Sequence, residues 1–529
     1  ILERRAVWPR GACGAAFVFA YACGSVLHTC CSDPSPGGTG RGLPSTAGLV
    51  DASSLAACSL RGPLHGREIL AVLPLPHIGQ TDASHQGKAL FATGSEDNAV
   101  KLFSTQCSHN AKVSCLATLE GHPAAVRALA LSAPRRGEED SPLLFSAGGK
   151  EVLCCWRLLG GVRVRGELLA SHVPPERNSL AAKLAGGQRT DTDCRFMSVA
   201  ALRLPESRCS GCCGAGSGVC GAGRSGGSEA PSRRCDHLVA AGTSRAEVHL
   251  FVLDEERATL RQCMTLSPSA AQSRSSSSRT AVVTGGPILC VHLRRLASCD
   301  EALLLLAGDT SGALTVWDVS AATAAAERGT SPAVVPLCQV RLHSMGLNGL
   351  VVLDVCNWRM EGGHVAASGS EAHLSAAPLS GADCGGARAA QSIPSTSPAA
   401  RLLVVSVGDD QAISLCALEV SQCVSTGAAR VLVRNTRSCT GAHGQSIRSI
   451  AAVGNLLFTS GPGQRMCTWR ISVSRAWQES DVGMCDVLER CSTQLIGVHH
   501  PMAMSVLSEA PNSIVVVGCG VQIITVLDR

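Results

Sequence analysis

A short apolar strand, a turn rich in glycine and small polar residues, and a second apolar strand recur seven times along this chain, and no other feature constrains its fold as strongly. The copies run from Leu90 to Phe103, Leu144 to Trp156, Leu238 to Phe251, Leu304 to Asp318, Val404 to Cys416, Leu457 to Trp469 and Ile514 to Val526. Each reads as a β-hairpin, because glycine or an acidic residue tolerates the positive φ of a tight turn between strands of alternating pattern. Trp156, Trp317 and Trp469 close three hairpins, and Phe103 and Phe251 close two others. The chain has six tryptophans and 3% aromatic residues, so three tryptophans at one position of the unit mark a true repeat.

A histidine followed by an apolar strand stands upstream of several hairpins: His122 before Val126, His343 before Leu347 and His443 before Ile447. Together with Trp317 and Asp318 this resembles the Gly-His to Trp-Asp pattern of WD40 repeats, which build four-stranded propeller blades. The expected fold is therefore all-β, a WD40-type β-propeller of seven blades with four antiparallel strands each. Such a ring leaves no sheet edge bare. His122, His343 and His443, with Trp156, Trp317, Asp318 and Trp469, are expected to serve blade structure through hydrogen bonds and packing rather than catalysis or metal binding.

The closing positions 103, 156, 251, 317, 416, 469 and 526 lie 53, 95, 66, 99, 53 and 57 residues apart, more than the ~40 to 45 usual for such a repeat. The excess falls in low-complexity inserts at 207–234, 267–284, 321–332 and 381–399. They bury too little apolar surface to offset their ordering entropy and are expected to be flexible loops. The seven-bladed unit is assigned to residues 61–529. Residues 1–60 are read as the end of a preceding propeller, or as closing strands, plus a linker, with a strand–turn–strand unit at 17–28. The start at Ile1 suggests a piece of a longer protein. The segment 365–371 reads either as a further hairpin or as a decoy.

The net charge of +5, from 46 basic and 41 acidic residues, announces no basic field for a nucleic acid and excludes none. The 28 cysteines are scattered without paired spacing and read as reduced, small apolar fillers. The cluster Cys209, Cys212, Cys213 and Cys220 lacks a second spaced pair and sits in low complexity, favouring a loop over a zinc site. No apolar run is long enough to cross a membrane, and a cytoplasmic protein is the simplest expectation. No phosphate-binding glycine loop or nucleophile elbow occurs in a suitable context, so no catalytic residue, metal or cofactor is expected in the chain itself.

The order of less generic segments resembles the family of WD-repeat-containing protein 6 over most of residues 60–529. The carrying residues are His65 to Ile69, Thr93 to Asp97, Arg195 to Ser198, His343 and Ser344 with Leu347 to Leu350, and the glycine-rich strand pair near Gly518. The pattern is departed from around Ser370 to His373, and the inserts differ. The resemblance implies a non-catalytic regulatory subunit that partners an FtsJ-type methyltransferase and helps to bind and place tRNA for 2′-O-methylation of the wobble ribose. S-adenosylmethionine would be held only by the partner enzyme. His65, Arg67 and Glu68 are the candidate RNA or partner contacts; Arg127, Arg135, Arg136, Arg294 and Arg295 read either as further phosphate-binding candidates or as ordinary solvated or intrablade residues. The bare propeller pattern leaves open a general adaptor for other proteins, for example in a ubiquitin ligase or signalling complex.

Overall fold

The computed structural model describes residues 57–58, 64–76, 78, 88–106, 113–132, 141–160, 164–174, 194–204, 235–268, 285–296, 302–322, 325, 334–354, 400–422, 429–472, 487–507 and 510–525. These residues form seven four-stranded antiparallel sheets, the blades of a β-propeller. Strands are lettered a to d from the innermost outwards. Blade 1 comprises Ile69–Leu75, Lys88–Ser95, Val100–Gln106 and Val113–Leu119. Blade 2 comprises Val126–Ser132, Leu143–Gly148, Leu153–Leu159 and Arg165–His172. Blade 3 is built from Phe196–Arg203, His237–Thr243, Val248–Asp254 and Thr259–Leu266, and blade 4 from Ile288–Arg295, Leu303–Asp309, Ala313–Asp318 and Pro336–Arg341. Blade 5 holds Leu347–Asp354, Ala400–Gly408, Ile413–Gln422 and Ala429–Cys439. Blade 6 holds Ser449–Val453, Leu456–Gly461, Arg465–Ile471 and Leu488–Leu495.

Blade 7 takes three strands from the end of the chain, Ala503–Leu507, Ala510–Val517 and Val521–Thr525. Its strand d comes from the other end of the sequence: Ala57–Cys58 pairs with strand c, Ala57 opposite Ile524. Each of the seven hairpins expected from sequence forms the b–c pair of one blade. The segments 17–28 and 365–371 lie outside the described residues, as do Val526 and the cluster from Cys209 to Cys220.

The burial pattern explains why the b strands carry the strongest sequence signal. A blade is covered on both faces by its neighbours, so a middle strand reads as a continuous apolar run. Leu303–Asp309 and His237–Thr243 are buried at every residue. The outermost strands meet solvent and alternate, as in Ala429–Cys439. The core is divided into seven apolar clusters, one at each junction between adjacent blades. The junction of blades 7 and 1 packs Phe91 and Phe103 against Val515, Val517 and Ile523.

In blades 1 to 6 the hairpin-closing side chain faces the preceding blade. Trp156 packs into the junction of blades 1 and 2, Trp317 into that of 3 and 4, and Trp469 into that of 5 and 6. Phe103, Phe251 and Cys416 do the same elsewhere. Among the described residues thirteen cysteines are free thiols. Burial pushes the Cys154 and Cys416 thiols up to about 12, so they act as small apolar groups rather than nucleophiles. No described helix is long and apolar enough to cross a membrane.

Candidate binding face

Antiparallel blades place the b–c turns and the links between blades at one end of the ring, called here the upper face. The a–b and c–d connections lie at the other. The upper-face turns of blades 1 to 6 share one conformation: Asn98, Glu151, Ala246, Gly312, Gln411 and Gln464 occupy the same turn position, with φ of 68°, 54°, 63°, 81°, 64° and 53°. This common geometry aligns the blades residue by residue.

In that alignment, one polar position on strand b carries Thr93, Ser146, Ser406 and Thr459 in blades 1, 2, 5 and 6. Each of these hydroxyls meets the Nε2 of a histidine from the link before strand a. His65 meets Thr93 at 2.8 Å, His122 meets Ser146 at 2.7 Å, His343 meets Ser406 at 2.9 Å and His443 meets Thr459 at 2.8 Å. In blades 2 and 6 the closing tryptophan donates to the same hydroxyl, Trp156 to Ser146 at 2.8 Å and Trp469 to Thr459 at 2.9 Å. In blades 1 and 5 the histidine Nδ1–H instead donates to an aspartate of the b–c turn, His65 to Asp97 at 2.9 Å and His343 to Asp410 at 2.8 Å.

The two aspartates sit in equal cradles. Asp97 accepts from the Gly66 and Ala99 amides, and Asp410 from those of Ser344 and Ala412. Burial pushes both carboxyls up, but the hydrogen bonds outweigh it and hold them below the usual carboxylate range. Burial holds His65 below its ordinary value, with Asp97 opposing the shift. His122 and His443 have no such carboxylate and fall to about 4, through burial in both and, for His443, also through Arg490 and Arg465. Trp317 is fully buried, but Ala307 stands at its polar position and its indole N–H has no partner among the described residues. Asp318 reaches outwards: it accepts from Ser320 and, at 3.2 Å, from the Ala429 amide of blade 5.

The segment His65 to Ile69 forms the upper seam between blades 1 and 7, where the Ile69 amide donates to the Gly518 carbonyl at 2.9 Å. His65 points into blade 1, whereas Arg67 is exposed on the face. The Glu68 carbonyl accepts from Ser95 Oγ at 2.9 Å, and its carboxylate lies 3.9 Å from Cys519 Sγ of the blade 7 turn. The structure thus sets Arg67 and Glu68 on a surface but separates them in kind from His65. Arg294 donates to the Val352 carbonyl and pairs with Asp354, which ties strand a of blade 4 to that of blade 5. Arg127 buries its Nε without a partner among the described residues. Arg295 is exposed, and Arg135 and Arg136 lie outside the described residues.

Two features of polar residues escape sequence reasoning. On the lower side, Ser132 of blade 2 meets His237 Nδ1 of blade 3 at 2.7 Å, and Glu255 accepts from His237 and pairs with Arg203. The His237 hydrogen bond, opposed by burial, holds the Glu255 carboxyl below its ordinary value. Ser132, Arg203 and His237 lie in separate strands and Glu255 in the turn after strand c of blade 3, and together they follow no local motif. On the upper face, a cavity of about 270 Å³ opens in blade 6, lined by His443, Gly444, Gln445, Ser446, Gly461, Gly463 and Arg465. Its signal is only the glycine at 463 where blades 1 and 5 have aspartate. Among the described residues no group of three or more His, Cys, Asp or Glu side chains is arranged to hold a metal ion.

No protein-family model matches the chain. No curated protein matches it either. Among solved structures, it is similar to the crystal structure of Saccharomyces cerevisiae Sqt1, with a TM-score of 0.44 and 10% sequence identity over 88% of this chain and 97% of that one.

Proposed function

We propose that this propeller is a binding scaffold, and that it acts as the non-catalytic regulatory subunit of an FtsJ-type 2′-O-methyltransferase, helping to bind and position tRNA for methylation of the wobble ribose. The reading is carried by the segment His65 to Ile69, the most distinctive part of the resemblance to the WD-repeat-containing protein 6 family. Its place on the upper face supports the reading: His65 anchors the segment in blade 1 and Arg67 remains exposed, where a guanidinium can meet a phosphate or a carboxylate. Catalysis and S-adenosylmethionine then belong to the partner, and the complex works in the cytoplasm.

Affinity purification of the full chain tests this, with mass spectrometry of bound proteins and sequencing of bound RNA. An FtsJ-type enzyme and tRNA are expected, together with loss of wobble-ribose methylation when the protein is depleted. Arg67→Glu is expected to reduce retained tRNA while leaving the fold intact. Normal methylation in depleted cells would overturn the reading. The near balance of 46 basic and 41 acidic residues favours a second one, a general protein adaptor, for which unrelated proteins would co-purify without tRNA or methyltransferase.

A further inference from the structure

The internal repeat shows what the blade 6 cavity lacks. Gly463 occupies the turn position of Asp97 and Asp410, because the residue after each is left-handed: Asn98, Gln411 and Gln464, with φ of 68°, 64° and 53°. The turns also share a hydrogen bond, Asn98 N to Ser95 O at 3.2 Å, Gln411 N to Gly408 O at 3.3 Å and Gln464 N to Gly461 O at 3.2 Å. Around the missing side chain, the other parts of the aspartate cradle are kept. His443 holds Thr459 through Nε2, as His65 holds Thr93 and His343 holds Ser406. The equivalent of the Nδ1 that donates to the aspartate in blades 1 and 5 has no hydrogen-bond partner among the described residues, and His443 lines the cavity. Gly444 and Arg465 stand at the positions of the Gly66 and Ala99 amides that hold Asp97. The Arg465 side chain adds a cation, with no carboxylate in ion-pair reach among the described residues. Blade 2 also lacks the aspartate, but there the His122 Nδ1 is buried from solvent.

We propose that this cavity is a docking site for the carboxylate of an aspartate or glutamate side chain on a partner protein, which completes in trans the cradle that Asp97 and Asp410 complete in cis. The chemistry selects a carboxylate because two other blades fill the same donor set with one, and a planar acceptor matches it. A side chain rather than a free cofactor is favoured by the size of the cavity, about 270 Å³, below the ~300–1,000 Å³ of sites that enclose drug-sized ligands. Access is favourable, since Gly444, Gln445, Gly463 and Arg465 are all exposed on the upper face. Burial and the two nearby arginines hold His443 uncharged, and an entering carboxylate would favour its Nδ1–H donor form. The proposal does not depend on the methyltransferase reading.

The test uses the full chain with ¹⁵N-labelled histidine, the His443 ring resonance being assigned by its loss in His443→Gln. The probes are the peptide acetyl-Gly-Glu-Gly-amide, its glutamine counterpart, acetate and inorganic phosphate. A saturable shift of the His443 resonance is expected with the glutamate peptide, a weaker one with acetate, and none with the glutamine peptide or phosphate. Gly463→Asp should abolish the response, since the chain then fills its own cradle. A Cβ at 463 meets nothing closer than Gln445 Oε1 at 3.5 Å, so the variant fits the turn. Its melting temperature should rise by about 1–3 °C. Arg465→Ala should weaken peptide binding roughly twofold to fivefold. Acetate binding as tightly as the peptide would place a free acid here and overturn the proposal, as would a preference for phosphate, which would point to RNA. An unchanged peptide response in Gly463→Asp would overturn it too.

Discussion

Blade 4 buries Trp317 against blade 3 with its indole N–H unpartnered among the described residues, and Ala307 stands where blades 2 and 6 supply the hydroxyls of Ser146 and Thr459. An unmet buried donor costs stability that one correctly placed acceptor recovers. Ala307→Ser is therefore expected to stabilise the protein by about 1 kcal/mol, read as a higher urea midpoint; a lower midpoint would mean that the hydroxyl does not reach the indole. The histidines carry a pH signature as well. His122 falls from 6.5 to about 4 on folding through burial. The unfolded chain then binds more protons than the folded one between those values, so the contribution of His122 is complete above pH 6.5 and is lost as pH falls towards 4. The slope amounts to about 1 kcal/mol per pH unit at most. Urea midpoints measured from pH 7 to pH 4.5 should decline less steeply in His122→Gln than in the parent, and equal slopes would refute the assignment. The sequence made these histidines and tryptophans visible because each stands at a fixed offset in the repeat. It hid the hydroxyls between them, since serine and threonine are common in every strand and only the register of strand b against strand c picks out Ser146 or Thr459.

At the scale of the hairpin, glycine does two different jobs that look alike in sequence. In blades 1, 3 and 4 it seats the first residue of the next blade: a Cβ at Gly94, Gly242 or Gly308 would lie within 2.7, 2.6 or 2.5 Å of Val126, Ile288 or Leu347. In blades 2, 6 and 7 the glycine falls one residue later and meets backbone, Gly148 and Gly461 lying opposite the Ala125 and Ser446 carbonyls and Gly518 opposite that of His500, each at 2.1 Å. A side chain can turn aside from a new methyl group, but a hydrogen-bonded carbonyl can do so only by moving the link into strand a. Gly148→Ala is thus expected to cost roughly 1–3 kcal/mol, whereas Gly444→Ala, with nothing within 4 Å of its Cβ, should stay within about 0.5 kcal/mol of the parent. Thermal unfolding followed by circular dichroism separates the two, and an equal effect at both positions would contradict the close approach. The hairpins themselves were legible because strand, turn and strand are contiguous and the b strands are buried on both faces. The cradle at Gly463 was not, because an absent side chain leaves no pattern until the structure superimposes one blade on another. The partners of Arg294 were equally hidden: Val352 and Asp354 belong to the next blade, and no local spacing connects them.

The whole ring rests on seven junctions of one kind, so its integrity depends on the junction whose strands come from both ends of the sequence. Strand c of blade 7, Val521–Thr525, is covered on its outer edge by Ala57–Cys58 alone among the described residues. Without that partner it would present unpaired backbone groups, the arrangement that invites pairing with another chain. Among the described residues, removing residues 1–60 deletes a short ladder, whose few backbone hydrogen bonds are worth roughly 1–3 kcal/mol. The larger consequence concerns cooperativity. Blades 7 and 1 also share the cluster of Phe91, Phe103, Val515 and Ile523, so fraying at the closing blade exposes apolar surface on both sides of the junction. The truncated chain should show faster amide hydrogen exchange in blades 7 and 1 than in blades 3 and 4, a lower melting temperature, and concentration-dependent association in light scattering. An unchanged melting temperature with uniform exchange protection would mean that the apolar junction closes the ring without the added strand, and that the strand from the beginning of the chain serves only to cover an edge.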